Sequence, residues 1–145
     1  MRNKEQGFTL IEIMMVVIIL GILGAMVVPN MVGRGEQARE TAAYSDIEAN
    51  LSTALDLYEL DNGRYPTTEQ GLKALLQEPT TSPVPMHWNG PYLKKKKIPK
   101  DPWGAEYLYV SPGIQNPEEY DLSSLGSDGV ESEDDITNWT QESYD

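Results

Sequence analysis

An almost wholly apolar run near the amino terminus constrains this chain more than any other feature. It reads FTLIEIMMVVIILGILGAMVV over residues 8–28. As an α-helix rising about 1.5 Å per residue it would extend roughly 32 Å, and the hydrocarbon core of a bilayer is about 30 Å thick. The run is therefore long enough to span a membrane. The short polar segment before it carries Arg2 and Lys4, which favours a cytoplasmic amino terminus.

Glu12 interrupts the apolar run and needs an explanation. Ionisable side chains are costly in a bilayer and usually have a partner. An ordinary secretory signal, cleaved near Gly24, and a plain membrane anchor are both compatible with the length of the run, but neither accounts for Glu12. Cleavage between Gly7 and Phe8 would create an ammonium group on Phe8. In a polymer of staggered helices, this cation would pair with Glu12 of a neighbouring subunit and offset the desolvation of both charges.

The motif GFTLIE at residues 7–12 resembles the prepilin leader junction of type IV pilins and type II secretion pseudopilins. The resemblance implies that residues 1–7 are a leader peptide, which a membrane prepilin peptidase removes by cutting between Gly7 and Phe8. It also implies that Phe8 is then N-methylated, that the apolar segment is retained, and that Phe8 and Glu12 act in assembly.

Gly21, Gly24 and Pro29 weaken the helix within nine residues. In a helix, glycine costs about 1 kcal/mol relative to alanine and proline about 3 kcal/mol. We expect a helix in the isolated subunit, and melting of this stretch in a crowded polymer. Small residues also permit close helix packing in a membrane, and the sequence leaves both interpretations open.

Residues 31–61 are predicted to continue the helix as an amphipathic part, after a transmembrane and assembly part at residues 8–30. Apolar residues recur there at spacings of three and four, which is typical of one buried helix face. Asn62 or Gly63 is expected to end the helix in the left-handed conformation. The predicted buried face comprises Ala43, Ile47, Leu51, Ala54, Leu55 and Tyr58.

Residues 62–145 are predicted to form a globular head. Thr67 or Thr68 is expected to cap a short helix through Leu76, and three prolines keep residues 79–85 irregular. Short strands are predicted at residues 107–110, 120–125 and 136–139. So few short strands need a packing partner. The predicted fold class is therefore α+β, a long N-terminal helix packed on a small antiparallel sheet with long loops.

Composition excludes several classes of function. The chain has 23 acidic residues against 11 lysines and arginines, a formal net charge of -12, which argues against nucleic acid as a partner. Cysteine is absent, so disulfides and thiolate chemistry are excluded. His87 is the single histidine, so a Ser-His-Asp triad or a multi-histidine zinc site is not expected. No pattern indicates an enzyme.

The head carries further motifs of one family: RYPTTEQGL at residues 64–72, IPKDPWG at 98–104, YDLSSLGSDG at 120–129 and DITNW at 135–139. With the leader junction they resemble the major pseudopilins of type II secretion systems, which share the type IV pilin-like fold. The resemblance implies an inner-membrane subunit with a periplasmic head. It would polymerise with itself into a periplasmic pseudopilus that pushes folded proteins through the outer membrane. Minor pseudopilins and an inner-membrane assembly platform would be its partners. The alternatives are a type IV pilus subunit, which forms a surface fibre, and a monomeric membrane-anchored calcium-binding module.

An acidic loop, LGSDGVESEDD, occupies residues 125–135. A solvated acidic segment is the usual interpretation of such a run, although calcium is also bound by clustered carboxylates and backbone carbonyls. The resemblance implies calcium as a structural cofactor. The implied ligands are the carbonyls of Leu125 and Val130, the side chains of Asp128, Asp134 and Asp135, and Ser132 as a possible further ligand.

Lys94–Lys97 and Lys100 form a basic cluster in this acidic chain. The sequence is compatible with a solvated face and with a contact to acidic residues of a neighbouring subunit.

Overall fold

The computed structural model describes residues 7–139, with the side chains of residues 27–33 outside the description. The leader residues 1–6 therefore lie outside it, as do residues 140–145. The chain divides into two units, one ending at Ala38 and the other beginning at Arg39. Each unit is described by itself.

The first unit is helical from its fourth described residue onward. Helix α1, Leu10–Ser45, begins here and continues into the second unit. Thr9 caps it, because its carbonyl accepts the Glu12 and Ile13 amides at 3.1 and 3.3 Å and its Oγ1 accepts the Glu12 amide at 3.3 Å. The helix is assigned without a break through residues 21–29. Melting of that stretch concerns the assembled filament and stays a prediction.

Three helical elements follow one another at the start of the second unit. The end of α1 leads into a π-helical turn, Asp46–Leu51, and then into α2, Ser52–Asn62. The predicted buried face is confirmed, since each of its six side chains is at most 2% exposed. Gly63 ends α2 with a φ of 73°, and its amide donates to the Glu59 carbonyl at 2.6 Å. The π turn has no counterpart in the sequence-based prediction.

The sheet has three antiparallel strands in the order β1-β2-β3. They are β1 Leu108–Val110, β2 Asp121–Ser124 and β3 Ile136–Thr137, each shorter than predicted. Asn138 continues the pairing beyond β3. Its Oδ1 accepts the Leu122 amide at 2.8 Å, its Nδ2 donates to the Tyr120 carbonyl at 2.9 Å, and its amide donates to the Leu122 carbonyl at 3.0 Å. Side-chain groups thus replace part of a strand.

The predicted short helix through Leu76 is a single 3-10 turn, Leu72–Leu75, which follows Gly71. Thr67 caps the turn before it instead. Thr67 Oγ1 accepts the Gln70 amide at 3.2 Å, and Gln70 Oε1 accepts the Thr67 amide at 3.1 Å, which is the reciprocal pairing of a capping box. Gln70 Nε2 also donates to the carbonyls of Thr81 and Pro83 at 2.8 and 2.9 Å. One buried amide therefore holds the proline-rich loop.

Tyrosine hydroxyls connect the helical elements of the second unit to the rest of the head. Each donates to a polar side chain on the π turn or on α2, and burial raises the pKa of all four phenols. The rings also contact one another, with the Tyr65 and Tyr120 centroids 4.8 Å apart. The pairs are Tyr107 to Asp46 at 3.2 Å, Tyr120 to Ser52 at 3.0 Å, Tyr65 to Asp56 at 3.2 Å and Tyr92 to Asp61 at 2.9 Å.

Two buried carboxylates organise the loops around the sheet. Asp121 is 7% exposed and accepts the amides of Ile114, Gln115 and Asn116 at 2.6 to 2.9 Å. Asp101 is 4% exposed. Its carboxylate accepts the amides of Trp103 and Ala105 at 3.1 and 2.7 Å, and the Ser124 hydroxyl at 2.7 Å. Both carboxylates therefore satisfy backbone donors of turns and loops that no strand pairs.

Asp121→Asn is expected to lower the free energy of unfolding of the head by about 3 kcal/mol, because an amide presents N–H groups to backbone N–H donors and removes charge-assisted hydrogen bonds. The measurement is chemical unfolding of the full chain purified in detergent, followed by tryptophan fluorescence. Glu118→Gln is the control, since Glu118 is an exposed acidic residue of the same loop. Equal unfolding midpoints for the two variants would contradict this role of Asp121.

Tyr120 is expected to make the head sensitive to alkaline pH. Burial raises the pKa of Tyr120 to about 12, and the pKa of an unfolded tyrosine is about 10. Because the unfolded state releases this proton first, the contribution of Tyr120 to stability is complete below pH 10. It is lost as the pH rises through about 12.

The measurement is the thermal unfolding midpoint of the full chain at pH values between 9 and 12. In the unaltered chain the midpoint should fall as the pH rises, and Tyr120→Phe is expected to reduce this fall over about two pH units above pH 10. Tyr44→Phe, at a side chain that is 51% exposed, is the control for loss of one phenol. A decline in Tyr120→Phe as steep as in the unaltered chain would show that this phenol does not carry the effect.

Candidate functional site

The predicted processing junction is open in the structure. Residues 7–9 have no regular secondary structure and precede the start of α1. The side chain of Phe8 is 80% exposed, and a Cβ added to Gly7 would meet no atom within 4 Å. A peptidase needs an accessible backbone that no helix or strand has already hydrogen-bonded. The junction between Gly7 and Phe8 meets both conditions.

Glu12 is exposed and lies in the first turn of α1. A carboxylate there is stabilised by the unpaired amides and the dipole of the helix amino terminus. Thr9 and Glu12 have the T-x-x-E spacing of a capping box, and Thr9 Oγ1 accepts the Glu12 amide. The capping role of Thr9 was not among the sequence-based predictions, although this spacing is a signal for it.

The amino-terminal part of α1, from Leu10 to Met26, exposes apolar side chains on every side of the helix. From Leu10 to Met26 the exposure of the large apolar side chains ranges from 48% at Val16 to 80% at Leu10. A helix that is apolar all round requires a cover, either a bilayer or neighbouring protein. Within the described part of the chain, no helix qualifies by length and hydropathy as a membrane span.

The predicted calcium ligands lie on the loop between β2 and β3. Gly126 and Gly129 adopt positive φ angles of 66° and 67°. Asp128 Oδ1 accepts the Val130 amide at 3.1 Å, and the Ser132 hydroxyl contacts both the Val130 carbonyl, at 3.2 Å, and Asp134 Oδ1. The structure therefore links Asp128, Val130, Ser132 and Asp134 through a short hydrogen-bond network.

Asp135 differs from the other carboxylates of this loop. Its Oδ1 is buried and has no hydrogen-bond partner among the described residues. A buried carboxylate oxygen without a partner is unfavourable, and a cation would satisfy it. This atom is the strongest structural indication of an ion site in the loop.

The acidic side chains themselves do not converge. Among residues 7–139, no group of three or more aspartate, glutamate or histidine side chains is arranged to hold a metal ion. Glu131 and Glu133 are exposed. A cation at this loop would therefore depend on the carbonyls of Leu125 and Val130 as much as on carboxylates, which suits the oxygen-rich coordination of calcium.

The basic cluster is presented by a short loop between two residues that pack in the head. Leu93 is 6% exposed, Ile98 packs against the core, and Lys94–Lys97 between them are all exposed. This arrangement is compatible with both interpretations of the cluster.

Comparisons with known proteins agree with this architecture. Residues 30–139 match the family model for type II secretion system protein G, and residues 2–28 match the prokaryotic N-terminal methylation motif. Two relatives described as type II secretion system core protein G were compared. The one from Pseudomonas aeruginosa is 52% identical over 143 residues, covering 95% of this chain and 97% of the relative. The one from Vibrio cholerae is 48% identical over 147 residues, covering 98% and 97%.

A solved structure provides the corresponding comparison of folds. The crystal structure of the major pseudopilin from the type 2 secretion system of enterohaemorrhagic Escherichia coli aligns with a TM-score of 0.66 at 45% identity, covering 78% of this chain and 92% of the other. The predicted α+β, type IV pilin-like fold and the structural, non-enzymatic role are confirmed. The chain belongs to the type II secretion system protein G family, the major pseudopilins.

Proposed function

We propose that this pseudopilin is cut between Gly7 and Phe8, retains residues 8–28 as a single inner-membrane helix with a cytoplasmic amino terminus, and carries its head in the periplasm. It then polymerises into a periplasmic helical filament that pushes folded proteins through the outer membrane. The observation that carries this proposal is the helix from Leu10 to Met26, whose large apolar side chains are at least 48% exposed on all sides.

This apolar surface supports two successive environments. A bilayer would cover it in the unassembled subunit, because lipid tails match apolar side chains on every face. In the filament, helices of neighbouring subunits would cover it instead. Gly21 and Gly24, where an added Cβ would meet no atom within 4 Å, leave room for close approach of a second helix.

Glu12 would set the register of this packing. Cleavage places an ammonium group on Phe8, and methylation keeps its positive charge. Both Phe8 and Glu12 are exposed in the subunit, so each is available to a neighbour. Removing two charges from water is costly, and pairing them offsets the cost. Subunits displaced from this register would leave both charges unpaired.

The proposed partners follow from this sequence of events. A membrane prepilin peptidase would cut and methylate the junction. An inner-membrane assembly platform and minor pseudopilins would start and extend the filament. Membership of the protein G family favours this secretion role over a surface pilus and over a monomeric calcium-binding module.

The acidic loop would bind calcium as a structural cofactor. The unpartnered Oδ1 of Asp135 and the network that joins Asp128 to Asp134 support this proposal. Calcium would neutralise the carboxylates and hold together the loop that connects β2 to its antiparallel partner β3. Ligands would come from Leu125, Asp128, Val130, Ser132, Asp134 and Asp135.

Glu12→Ala is expected to reduce filament yield at least about tenfold, because it leaves one unpaired ammonium group per subunit in an apolar layer. A tenfold change corresponds to a free-energy cost of only about 1.4 kcal/mol. Sheared filaments are quantified from cells that express the full chain, and mass spectrometry of the amino terminus checks that methylated Phe8 is still formed. Glu40→Ala, at an exposed acidic residue further along α1, is the control. Filaments at the unaltered yield in Glu12→Ala would refute the pairing.

Chelation of calcium is expected to lower the thermal midpoint of the full chain in detergent by several degrees, because a ligand bound only to the folded loop stabilises it by mass action. Asp128→Ala should abolish this response. Glu131→Gln, an exposed acidic residue of the same loop, should retain it. An equal response to chelator in Asp128→Ala, or none in the unaltered chain, would reject the site.

A further inference from the structure

Two Asn-Gly dipeptides lie within the second unit of the chain, at residues 62–63 and 89–90. Asparagine followed by glycine is prone to spontaneous loss of its side-chain amide, because glycine has no Cβ to hinder attack of its backbone nitrogen on the asparagine Cγ. The two sites share the same reacting residues, so hydrogen bonding and exposure decide which of them reacts.

The first dipeptide is held in an unreactive geometry. Asn62 is the last residue of α2, and the Gly63 amide, which would be the nucleophile, donates to the Glu59 carbonyl at 2.6 Å. The leaving group is fixed as well, since Asn62 Nδ2 donates to the Tyr58 carbonyl at 2.9 Å and to the Tyr92 hydroxyl at 3.4 Å. Reaction would require these hydrogen bonds to break and the end of the helix to unwind.

The second dipeptide lacks each of these restraints. Asn89 is exposed and lies, like Gly90, in a segment without regular secondary structure. The Asn89 backbone amide donates to the Tyr92 hydroxyl at 2.9 Å. Within residues 7–139, however, neither the Asn89 side chain nor the Gly90 amide takes part in a hydrogen bond. The nucleophile and the leaving group are therefore both free to react.

Packing explains why glycine occupies position 90. A Cβ added there would overlap the ring of Trp88. That ring is itself fixed, because its Nε1 donates to the Ala74 carbonyl at 2.9 Å and because it meets the ring of Tyr92 edge-on, with centroids 5.8 Å apart. A bulkier residue, which would slow the reaction, does not fit this close approach.

We propose that Asn89 is a self-modification site, which converts to aspartate and isoaspartate in the folded head far faster than Asn62 does. The Gly90 nitrogen gives up its proton and attacks Asn89 Cγ, and the side-chain nitrogen leaves as ammonia, which closes a succinimide ring. One water molecule then opens the ring. Attack of water at Cγ gives aspartate, and attack at the main-chain carbonyl gives isoaspartate, whose main chain runs through Cβ and Cγ.

The isoaspartyl product alters a loop that is held at both ends. Trp88 is bonded to the Ala74 carbonyl, and the Tyr92 amide donates to the Leu75 carbonyl at 2.8 Å. Isoaspartate adds one atom to the main chain between these two anchors. The extra atom displaces the backbone amide of residue 89 from the Tyr92 hydroxyl, so the modified head is less stable. Both products also add a negative charge to the exposed loop.

The test compares the two dipeptides in one sample. The full chain in detergent is incubated at mildly alkaline pH and digested with trypsin, which cuts after Arg64 and Lys73 and so places Asn62 and Asn89 in separate peptides. Mass spectrometry measures the loss of each asparagine relative to an unincubated sample. We expect Asn89 to convert at least about tenfold faster, a ratio that needs a difference in barrier of only about 1.4 kcal/mol.

Two controls separate the effect of the fold from that of the dipeptide. In guanidinium chloride the hydrogen bonds of Asn62 are lost, so both sites should react at similar rates. An isoaspartyl carboxyl methyltransferase with labelled S-adenosylmethionine detects isoaspartate at residue 89, and Asn89→Gln should abolish labelling of that peptide, because glutamine must close a larger ring. Incubation should lower the thermal midpoint of the unaltered chain more than that of Asn89→Gln.

Three results would overturn the proposal. The first is conversion of Asn62 and Asn89 at equal rates in the folded chain. The second is an Asn89 that stays intact in the folded chain while both sites react in guanidinium chloride. The third, an equal midpoint before and after conversion of Asn89, would refute the effect on the loop. These measurements are made on the unassembled chain, so they do not depend on the proposed filament.

Discussion

The hydrogen bonds from tyrosine hydroxyls to the π turn and α2 hold the head together. Its three strands span only two to four residues each, and a sheet this small is not stable without a packing partner. Tyr58, Leu51 and Leu55 supply that partner as a fully buried helical surface. Apolar contacts alone would allow the helix to slide along the sheet. The bonds of Tyr107 and Tyr120 to Asp46 and Ser52 prevent this, because buried phenols that lose their acceptors would be left unsatisfied.

The sequence predicted those features that a local period encodes. The apolar spacing between Ala43 and Tyr58 located the buried face, and Gly63 located the end of α2. Strand limits were overestimated, and after β3 the side chain of Asn138, in place of further strand pairing, bonds to the Leu122 amide and the Tyr120 carbonyl. The π turn could not be predicted from local sequence, since its residues favour an α-helix. The hydrogen bonds at its two ends come from Tyr107 and Tyr120, which are distant in sequence.

The candidate sites divide in the same way. The junction at Gly7 and the carboxylate of Glu12 could be predicted from the sequence because both belong to one motif of six residues. The acidic loop was found by composition, and the calcium ligands proposed within it come from the resemblance. Burial distinguishes only Asp135, which has a buried unpartnered oxygen, whereas the other four acidic side chains of the loop are exposed. Burial of this kind depends on how the fold closes the loop between β2 and β3, so it could not be predicted from composition.

Charge and apolar surface are also segregated along the chain, and this segregation suits the proposed transfer of the subunit from a membrane to a filament. The 21 residues from Phe8 to Val28 contain one ionisable side chain, while no lysine or arginine follows Lys100. An acidic head repels anionic lipid headgroups and other heads alike, so it does not associate until stronger contacts form. In the proposed assembly, those contacts would be the apolar helix surface and the pairing of Phe8 with Glu12, which only another copy in register would satisfy. If calcium binds the acidic loop as proposed, neutralising the loop would lower the remaining repulsion where heads approach, and would couple the stability of β2 and β3 to that of the filament.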